Sequence, residues 1–200
     1  AGTQGVFLHK KLDRALELAA ELKRPVVMYT EGGGGRPGDT DYELSLNLGS
    51  FAAWAGLRSH VPMIAVNNGY CFAGNAALFG CADITIATKS SWIGMAGPAM
   101  IEGGGMGHYK PTDIGPIDCQ SKNGVVDIIA DDEAEATRIA RQVLSYFQGS
   151  TSNWRCADQR KLWPLLPADR RFVYKVRDII TTLADTDSFT ELRRDYGCGI

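Results

Sequence analysis

Long apolar runs are missing from this 200-residue chain: none approaches the roughly 20 residues of a membrane span. The first residues, AGTQGVFLHKK, also lack the apolar centre of a signal peptide. No membrane contact is therefore expected. An excess of either charge is missing too. Lys and Arg total 21 against 23 Asp and Glu, a net charge of −2, and no basic cluster interrupts that balance. Such a surface offers no field for nucleic acid or anionic lipid. The five cysteines form no C-x-x-C pair, and the three histidines, His9, His60 and His108, have no ligand partner at helical spacing. No metal site is expected, and the thiols point to a reduced, cytoplasmic compartment. Glycine loops are present, but no Gly-Lys-Ser/Thr follows them, which excludes a Walker loop. Neither a Ser/His/Asp set nor a pair of carboxylates suggests side-chain acid–base chemistry. An initiator Met is also absent, and the ends, AGTQG and YGCGI, read as those of a segment from a longer chain.

What remains is a soluble globular composition, 44% hydrophobic and 22% charged, with 23 glycines. The stretch Asn67–Ala87, NNGYCFAGNAALFGCADITIA, is its centre. The run Val61–Val66 before it and Ile84–Ala87 after it have the length and β-branching of buried strands. Between them, Gly69, Gly74 and Gly80 surround the helix-compatible Asn75–Phe79. A strand that breaks at glycines and opens a helix leaves the first helical N–H groups without partners, at the positive end of the helix dipole. One reading makes Ala73 and Gly74 N–H an oxyanion hole. The other makes this a tight strand–helix connection whose glycines only allow close packing. Cys71, inside the loop, reads as a small buried thiol rather than a nucleophile.

In chain order, Leu8–Lys23 is an amphipathic helix with a Leu12, Leu16, Ala19, Ala20 stripe, ended by Arg24-Pro25. Val26–Thr30 is a strand that runs into EGGGGRPGDTD, residues 31–41. Four consecutive glycines suit a flexible linker or the close approach of backbone to a ligand, and the preceding strand favours a ligand. Tyr42–Arg58 reads as a helix with Leu44, Leu48, Phe51, Ala52 and Ala55 on one side. Ser91–Met95 leads into a second glycine-rich passage, Gly97–Gly107, which contains Gly103 and Gly104. Strand, glycine loop and short helix thus recur three times, and the three loops are expected to converge on one sheet edge. Gly124–Ile129 is a last strand. Asp131 or Asp132 caps a helix over Glu133–Phe147, with Glu135 completing a capping box and Ile139, Val143, Tyr146 and Phe147 facing inward. Residues 149–171 form a connector broken by Pro164 and Pro167, Val173–Leu183 a helix, and Asp187–Leu192 the start of a further element.

Five segments in this order resemble the carboxyltransferase component of biotin-dependent acyl-CoA carboxylases, the acetyl-CoA and propionyl-CoA carboxylase group. AGTQGVFLHKKLDRALELA is similar to its glycine turn and first helix, and EGGGGRPGD to its acyl-CoA loop. GYCFAGNAALFGCAD resembles the loop that usually carries two adjacent glycines, with Ala73 here in place of the first. GHYKPTDIGPIDCQSKNGVVDIIADDEAEA and DTDSFTELRRDYGCGI match its late region and the segment joining its two halves. The resemblance implies an α/β crotonase (ClpP/crotonase-like) fold, a ββα spiral with glycine-rich loops at the active-site edge. It implies residues 1–148 as the acyl-CoA-binding core, lacking its first strands, and 149–200 as a connector to a C-terminal half.

The same resemblance implies the chemistry. An acyl-CoA thioester is the substrate, and biotin, as carboxybiotin on a carrier domain, brings the carboxyl group. A biotin carboxylase, the C-terminal half and further copies of the chain are the implied partners. Ala73 and Gly74 would hold the enolate oxygen, and Gly32, Gly33, Gly34, Gly35, Arg36, Gly97, Gly103 and Gly104 would bind acyl-CoA. Ala at position 73 keeps a backbone donor but tolerates positive φ poorly. Arg36 would meet a CoA phosphate or pair with Asp39 or Asp41. His108 and Lys110 lie in a loop near the implied acyl pocket or serve the surface, and Glu31 and Glu102 are the carboxylates to examine. A crotonase-type hydratase or isomerase, which needs a positioned Glu, and a non-catalytic CoA-binding module are the alternatives.

Overall fold

The computed structural model describes residues 2–36, 49–169 and 171–198. Its frame is a four-stranded parallel sheet in the order β2-β4-β6-β8, formed by Val26–Tyr29, Met63–Asn67, Ile84–Thr88 and Ile128–Ala130. The central strand β4 is buried at every residue because both faces of the sheet are covered. Met63 and Ala65 face one core, with Leu16, Trp54 and Phe79. Ile64 and Val66 face another, with Ile86, Ala136, Ile139, Ala140 and Val143. Alternate residues of one strand thus serve two cores, as the pleat requires.

Each of the first three sheet strands is followed by a short strand in an outer layer and then a helix. β2 leads to β3 (Gly34–Gly35) and, beyond the undescribed residues 37–48, to α2 (Gly49–Gly56). β4 leads to β5 (Tyr70–Phe72) and α3 (Gly74–Gly80), and β6 to β7 (Trp92–Gly94) and α4 (Pro98–Gly103). β1 (Thr3–Gln4) pairs in parallel with β3, and β5 with β7. A parallel bridge between Gly32 and Cys71 links these two pairs. The recurrence of strand, glycine loop and helix read from the sequence is therefore present in space.

The first helix, α1 (Val6–Leu22), ends at Lys23 in the left-handed conformation, with Arg24 N–H donating to the Ala19 carbonyl at 3.0 Å. Leu16 and Ala19 are buried as the stripe requires, Leu12 is half-buried, and Ala20 is exposed. α2 buries a different face from the one expected. Ser50, Trp54 and the following Leu57 point inward, while Ala52 and Ala55 are exposed. Trp54 sets this rotation: its indole is fully buried and donates to the Leu78 carbonyl at 2.8 Å. Ser50 follows it inward to meet His9 Nδ1. Leu44 and Leu48 lie outside the described residues.

The last sheet strand begins at Ile128, later than expected. Gly124 adopts φ 75° in a turn, and Asp127 turns inward to accept from Thr85 N–H at 2.8 Å. α5 (Ile117–Lys122) precedes that turn, and α6 (Glu133–Ser145) follows β8. Asp132 caps α6 by accepting from Glu135 N–H at 2.8 Å, and the Glu135 carboxylate reaches back to Asp131 N–H at 2.6 Å. Ile139 and Val143 are buried, but Tyr146 and Phe147 lie past the end of the helix and are exposed, contrary to expectation. Arg193 Nε donates to Asp127 at 2.8 Å and Tyr196 lies against Gly124, which ties residues 193–196 to this part of the chain.

Two compact units result, Ala1–Leu144 with Leu192–Ile200, and Ser145–Glu191. The second contains a 3-10 turn at Gln159–Leu165, with Pro164 inside it, and α7 (Val176–Leu183). A bridge between Cys156 and Asp185 and a bond from Gln159 Nε2 to the Thr182 carbonyl join its two arms. Asp187–Leu192 forms no helix or strand. No helix among the described residues is long and apolar enough to cross a membrane.

Candidate active site

The outer layer brings two of the glycine loops into contact and a third beside them. The corner between β5 and α3 is the hub. Ala73, the residue before α3, has φ 53° and ψ −121°, a conformation natural to glycine and strained for alanine. Its N–H does not point to open space: it donates to the Gly94 carbonyl at 3.0 Å, extending the β5–β7 pairing by one step. The Ala73 amide is therefore not a free oxyanion donor in this structure, which corrects the expected Ala73–Gly74 pair. Gly74 is the first residue of α3, and the first turn's ladder begins only at Ala77 N–H, which donates to the Ala73 carbonyl. Its own amide belongs to the set a helix N-terminus leaves unpaired.

The first glycine run lies directly against this corner. A Cβ on Gly34 would stand 2.6 Å from the Ala73 methyl and 3.5 Å from Gly74 N, and Gly34 has φ 86°. Gly32 is held by two ladder bonds, its N–H to the Tyr70 carbonyl at 2.7 Å and its carbonyl from Phe72 N–H at 2.8 Å. Gly33 and Gly35 are exposed. Gly32 and Gly34 are thus needed for close backbone approach, whereas a Cβ on Gly33 would meet only Thr3 Cγ2 at 3.7 Å and one on Gly35 nothing within 4 Å.

Asn75, in α3, adds a contact that the sequence reading passed over as mere helix. Its side-chain Oδ1 accepts from Gly34 N–H at 2.9 Å, and its Nδ2 donates to the carbonyls of Thr30 and Glu31 at 3.1 and 3.2 Å. A lone polar residue opening the apolar run Ala76–Phe79 was the available signal. On the far side of the corner, a Cβ on Gly97 would meet Phe72 Cδ2 at 3.6 Å, so the third loop touches the same strand. Gly103 and Gly104 do not join it. They end α4 in exposed positions, and nothing lies within 4 Å of a Cβ built on Gly103.

The charged candidates have other partners. Arg36 is exposed and its Nε donates to Thr3 Oγ1 at 3.2 Å, while Asp39 and Asp41 lie outside the described residues. Glu31 accepts a short bond from Asn68 N–H, a turn-holding role. Glu102 is exposed and sits 3.3 Å from His108 Nδ1. Lys110 is exposed, and its N–H donates to Asp113. Cys71 is fully buried, and burial pushes its thiol up to about 12, the Thr30 hydroxyl opposing and the Glu31 charge adding to that shift. It is inert packing, as its sequence context suggested.

The corner has the chemistry of an anion site built from backbone: a helix N-terminus faced by glycines, with the adjoining Glu31 turned to Asn68 N–H. Comparison with known proteins identifies the family. A single-chain, multi-domain long-chain acyl-CoA carboxylase of known structure is 51% identical to this chain, with a TM-score of 0.93 over 100% of this chain and 20% of that one. The transcarboxylase 12S structure, at 24% identity and a TM-score of 0.84 over 98% of this chain, shares the fold. The propionyl-CoA carboxylase beta chain of Rhodococcus erythropolis is 28% identical, covering 100% of this chain and 44% of that protein. The methylcrotonoyl-CoA carboxylase beta chain of Dictyostelium discoideum is 26% identical over 98% and 36%. The chain spans less than half the length of these curated relatives. Its architecture is the crotonase-like α/β fold that the sequence implied. The carboxyl transferase domain model matches residues 1–200, and the chain belongs to that family.

Proposed function

We propose that this chain is the acyl-CoA-binding part of a biotin-dependent acyl-CoA carboxylase. It moves a carboxyl group from carboxybiotin to the α-carbon of an acyl-CoA through an enolate. The observation that carries this reading is the Gly74 amide at the start of α3, faced at close range by the glycine run of residues 32–35. Loss of a proton α to a thioester places negative charge on the carbonyl oxygen, and preorganised N–H groups stabilise that charge. Since Ala73 N–H is held by Gly94, Gly74 provides one donor and the exposed Gly33 or Gly35 the other. Arg36, exposed at the end of the same run, would meet a CoA phosphate, and Gly97, against Phe72, would line the acyl site.

Bound carboxybiotin supplies carbon dioxide and a nitrogen that takes up the α-proton. That division of labour fits a site whose adjoining carboxylate among the described residues, Glu31, is engaged with Asn68 N–H. It fits a hydratase or isomerase less well, because that chemistry needs a carboxylate free to move a proton. The carrier domain, a biotin carboxylase and a C-terminal half reached through residues 149–200 are the partners. Their support is the greater length of the relatives, which include a single-chain, multi-domain enzyme. Assembly into a homo-oligomer, supported by the transcarboxylase hexamer, and a reducing, cytoplasmic location complete the reading.

The test is the reverse reaction in the full-length protein. Malonyl-CoA, methylmalonyl-CoA and a long-chain 2-carboxyacyl-CoA are supplied with free biotin, and acyl-CoA formation is followed. Biotin-dependent decarboxylation is expected, and Gly74→Pro should lower its kcat by about 100- to 1,000-fold, the usual loss for one oxyanion donor. A Cβ on Gly74 would come within 2.7 Å of Gln4 Oε1 and 3.0 Å of Phe51 Cζ, so the rate is compared per folded molecule, with folding checked by circular dichroism. Turnover of an enoyl-CoA in place of decarboxylation would overturn the proposal in favour of a hydratase or isomerase, and CoA binding without turnover in favour of a binding module.

A further inference from the structure

Asn75 is the one polar side chain in α3, and it is buried, with 6% of its surface exposed. The helix does not need it. Alanine at that position would serve helix formation better, and asparagine is favoured at caps rather than inside a turn. Its amide instead leaves the helix and closes three hydrogen bonds with a segment more than forty residues earlier: to the Thr30 and Glu31 carbonyls and from Gly34 N–H. It also fills the space over the glycine run, since a Cβ on Gly32 would come within 2.5 Å of Asn75 Nδ2. The main-chain groups it satisfies lie where β2 leaves the sheet and its ladder stops. The next residue toward the N-terminus of the helix is Gly74.

We infer that Asn75 is a positioning residue for the reaction: its side-chain amide fixes the glycine run relative to the Gly74 N–H, and so sets the spacing of the two oxyanion donors. The inference rests on the carboxyltransferase reading. It explains why a residue unsuited to the helix stands beside the donor, and why Gly34 N–H faces inward while Gly33 and Gly35 stay exposed. Among the described residues, the other ties between the two segments, the Gly32 ladder bonds, Asn68 N–H on Glu31 and Thr30 N–H on the Val66 carbonyl, hold the start of the run and not the Gly34 amide. A displacement of about 1 Å between the two segments would cost roughly 100-fold in rate.

Asn75→Ala and the isosteric Asn75→Asp, made in the full-length protein, test this. Asp keeps the shape and an acceptor for Gly34 but sets a carboxylate oxygen against the Thr30 and Glu31 carbonyls, so the small, uncharged Asn75→Ser is made beside them to guard against a failure to fold. Each variant is expected to lower the kcat of biotin-dependent malonyl-CoA decarboxylation by about 10- to 100-fold, with KM changed less than about threefold because the CoA contacts remain. Hydrogen exchange at the Gly34 amide should speed up in Asn75→Ala and much less in Asn75→Asp. A folded variant with wild-type kcat overturns the inference. So does a loss of activity that vanishes when rates are expressed per folded molecule, since Asn75 would then only stabilise the fold. Absence of decarboxylation in the wild-type protein is a different failure: it refutes the carboxyltransferase reading and the inference with it.

Discussion

Ala73 holds a backbone conformation that alanine resists, and its methyl group stands where a side chain on Gly34 would fall; together these make a quantitative experiment. Residues forced into such regions typically cost about 1–3 kcal/mol. Ala73→Gly removes that strain but adds about 0.4–1 kcal/mol of unfolded-chain entropy. A net gain of about 0.5–2 kcal/mol follows, which for a protein of this size raises Tm by about 1–8 °C. Gly34→Ala should do the reverse. Its φ of 86° strains any L side chain, and the new Cβ would stand 2.6 Å from the Ala73 methyl. The strain persists in any background, but the collision disappears when Ala73 becomes Gly. Denaturant unfolding of both single variants and the double variant gives the coupling between them, expected at about 1–3 kcal/mol in favour of the pair. A coupling under about 0.5 kcal/mol, or an Ala73→Gly variant less stable than the parent, would refute the geometry assigned to this corner.

Two further outcomes follow from the core. Cys71 has its thiol pushed up to about 12 from 9.0, so the folded state holds that proton while the unfolded chain releases it. The stability this contributes is complete below about pH 9 and is lost as pH rises toward 12, at up to about 1.4 kcal/mol per pH unit. Urea unfolding of the wild type and Cys71→Ala over that range should show the Cys71-dependent part of the slope vanish in the variant. Asp127, buried, accepts from Thr85 N–H, Thr85 Oγ1 and Arg193 Nε. Asp127→Ala should cost about 3–5 kcal/mol and Arg193→Ala less, because the half-exposed guanidinium can be replaced by water while the Thr85 amide cannot be reached. Equal losses in chemical denaturation would contradict that ordering.

Periodicity and glycine placement made much of this fold legible. α1, β4 and α3 stand within two residues of where apolar spacing put them, and the threefold strand–loop–helix pattern is the one the glycines marked. The errors have a common physical origin in contacts made across long stretches of chain. The face of α2 is chosen by Trp54 reaching Leu78, a partner that no local stripe reveals. Tyr146 and Phe147 fit the period of α6 but fall beyond its end. At the site, the sequence indicated which corner matters and that alanine would be uncomfortable there. It did not reveal that Ala73 N–H is held by Gly94, a main-chain bond that leaves no trace in composition or spacing, and for Asn75 it offered a lone polar residue at the head of an apolar run but not its partner Gly34.

The outer strands are only two or three residues long, and each takes its pairing partners from a neighbouring turn of the spiral. A strand of that length cannot hold a shape alone. The segments 31–36, 67–75 and 91–97 therefore hold one another's shape as one unit. Transplanting a single loop from a relative would unseat the other two, whereas exchanging all three together would carry the geometry across intact.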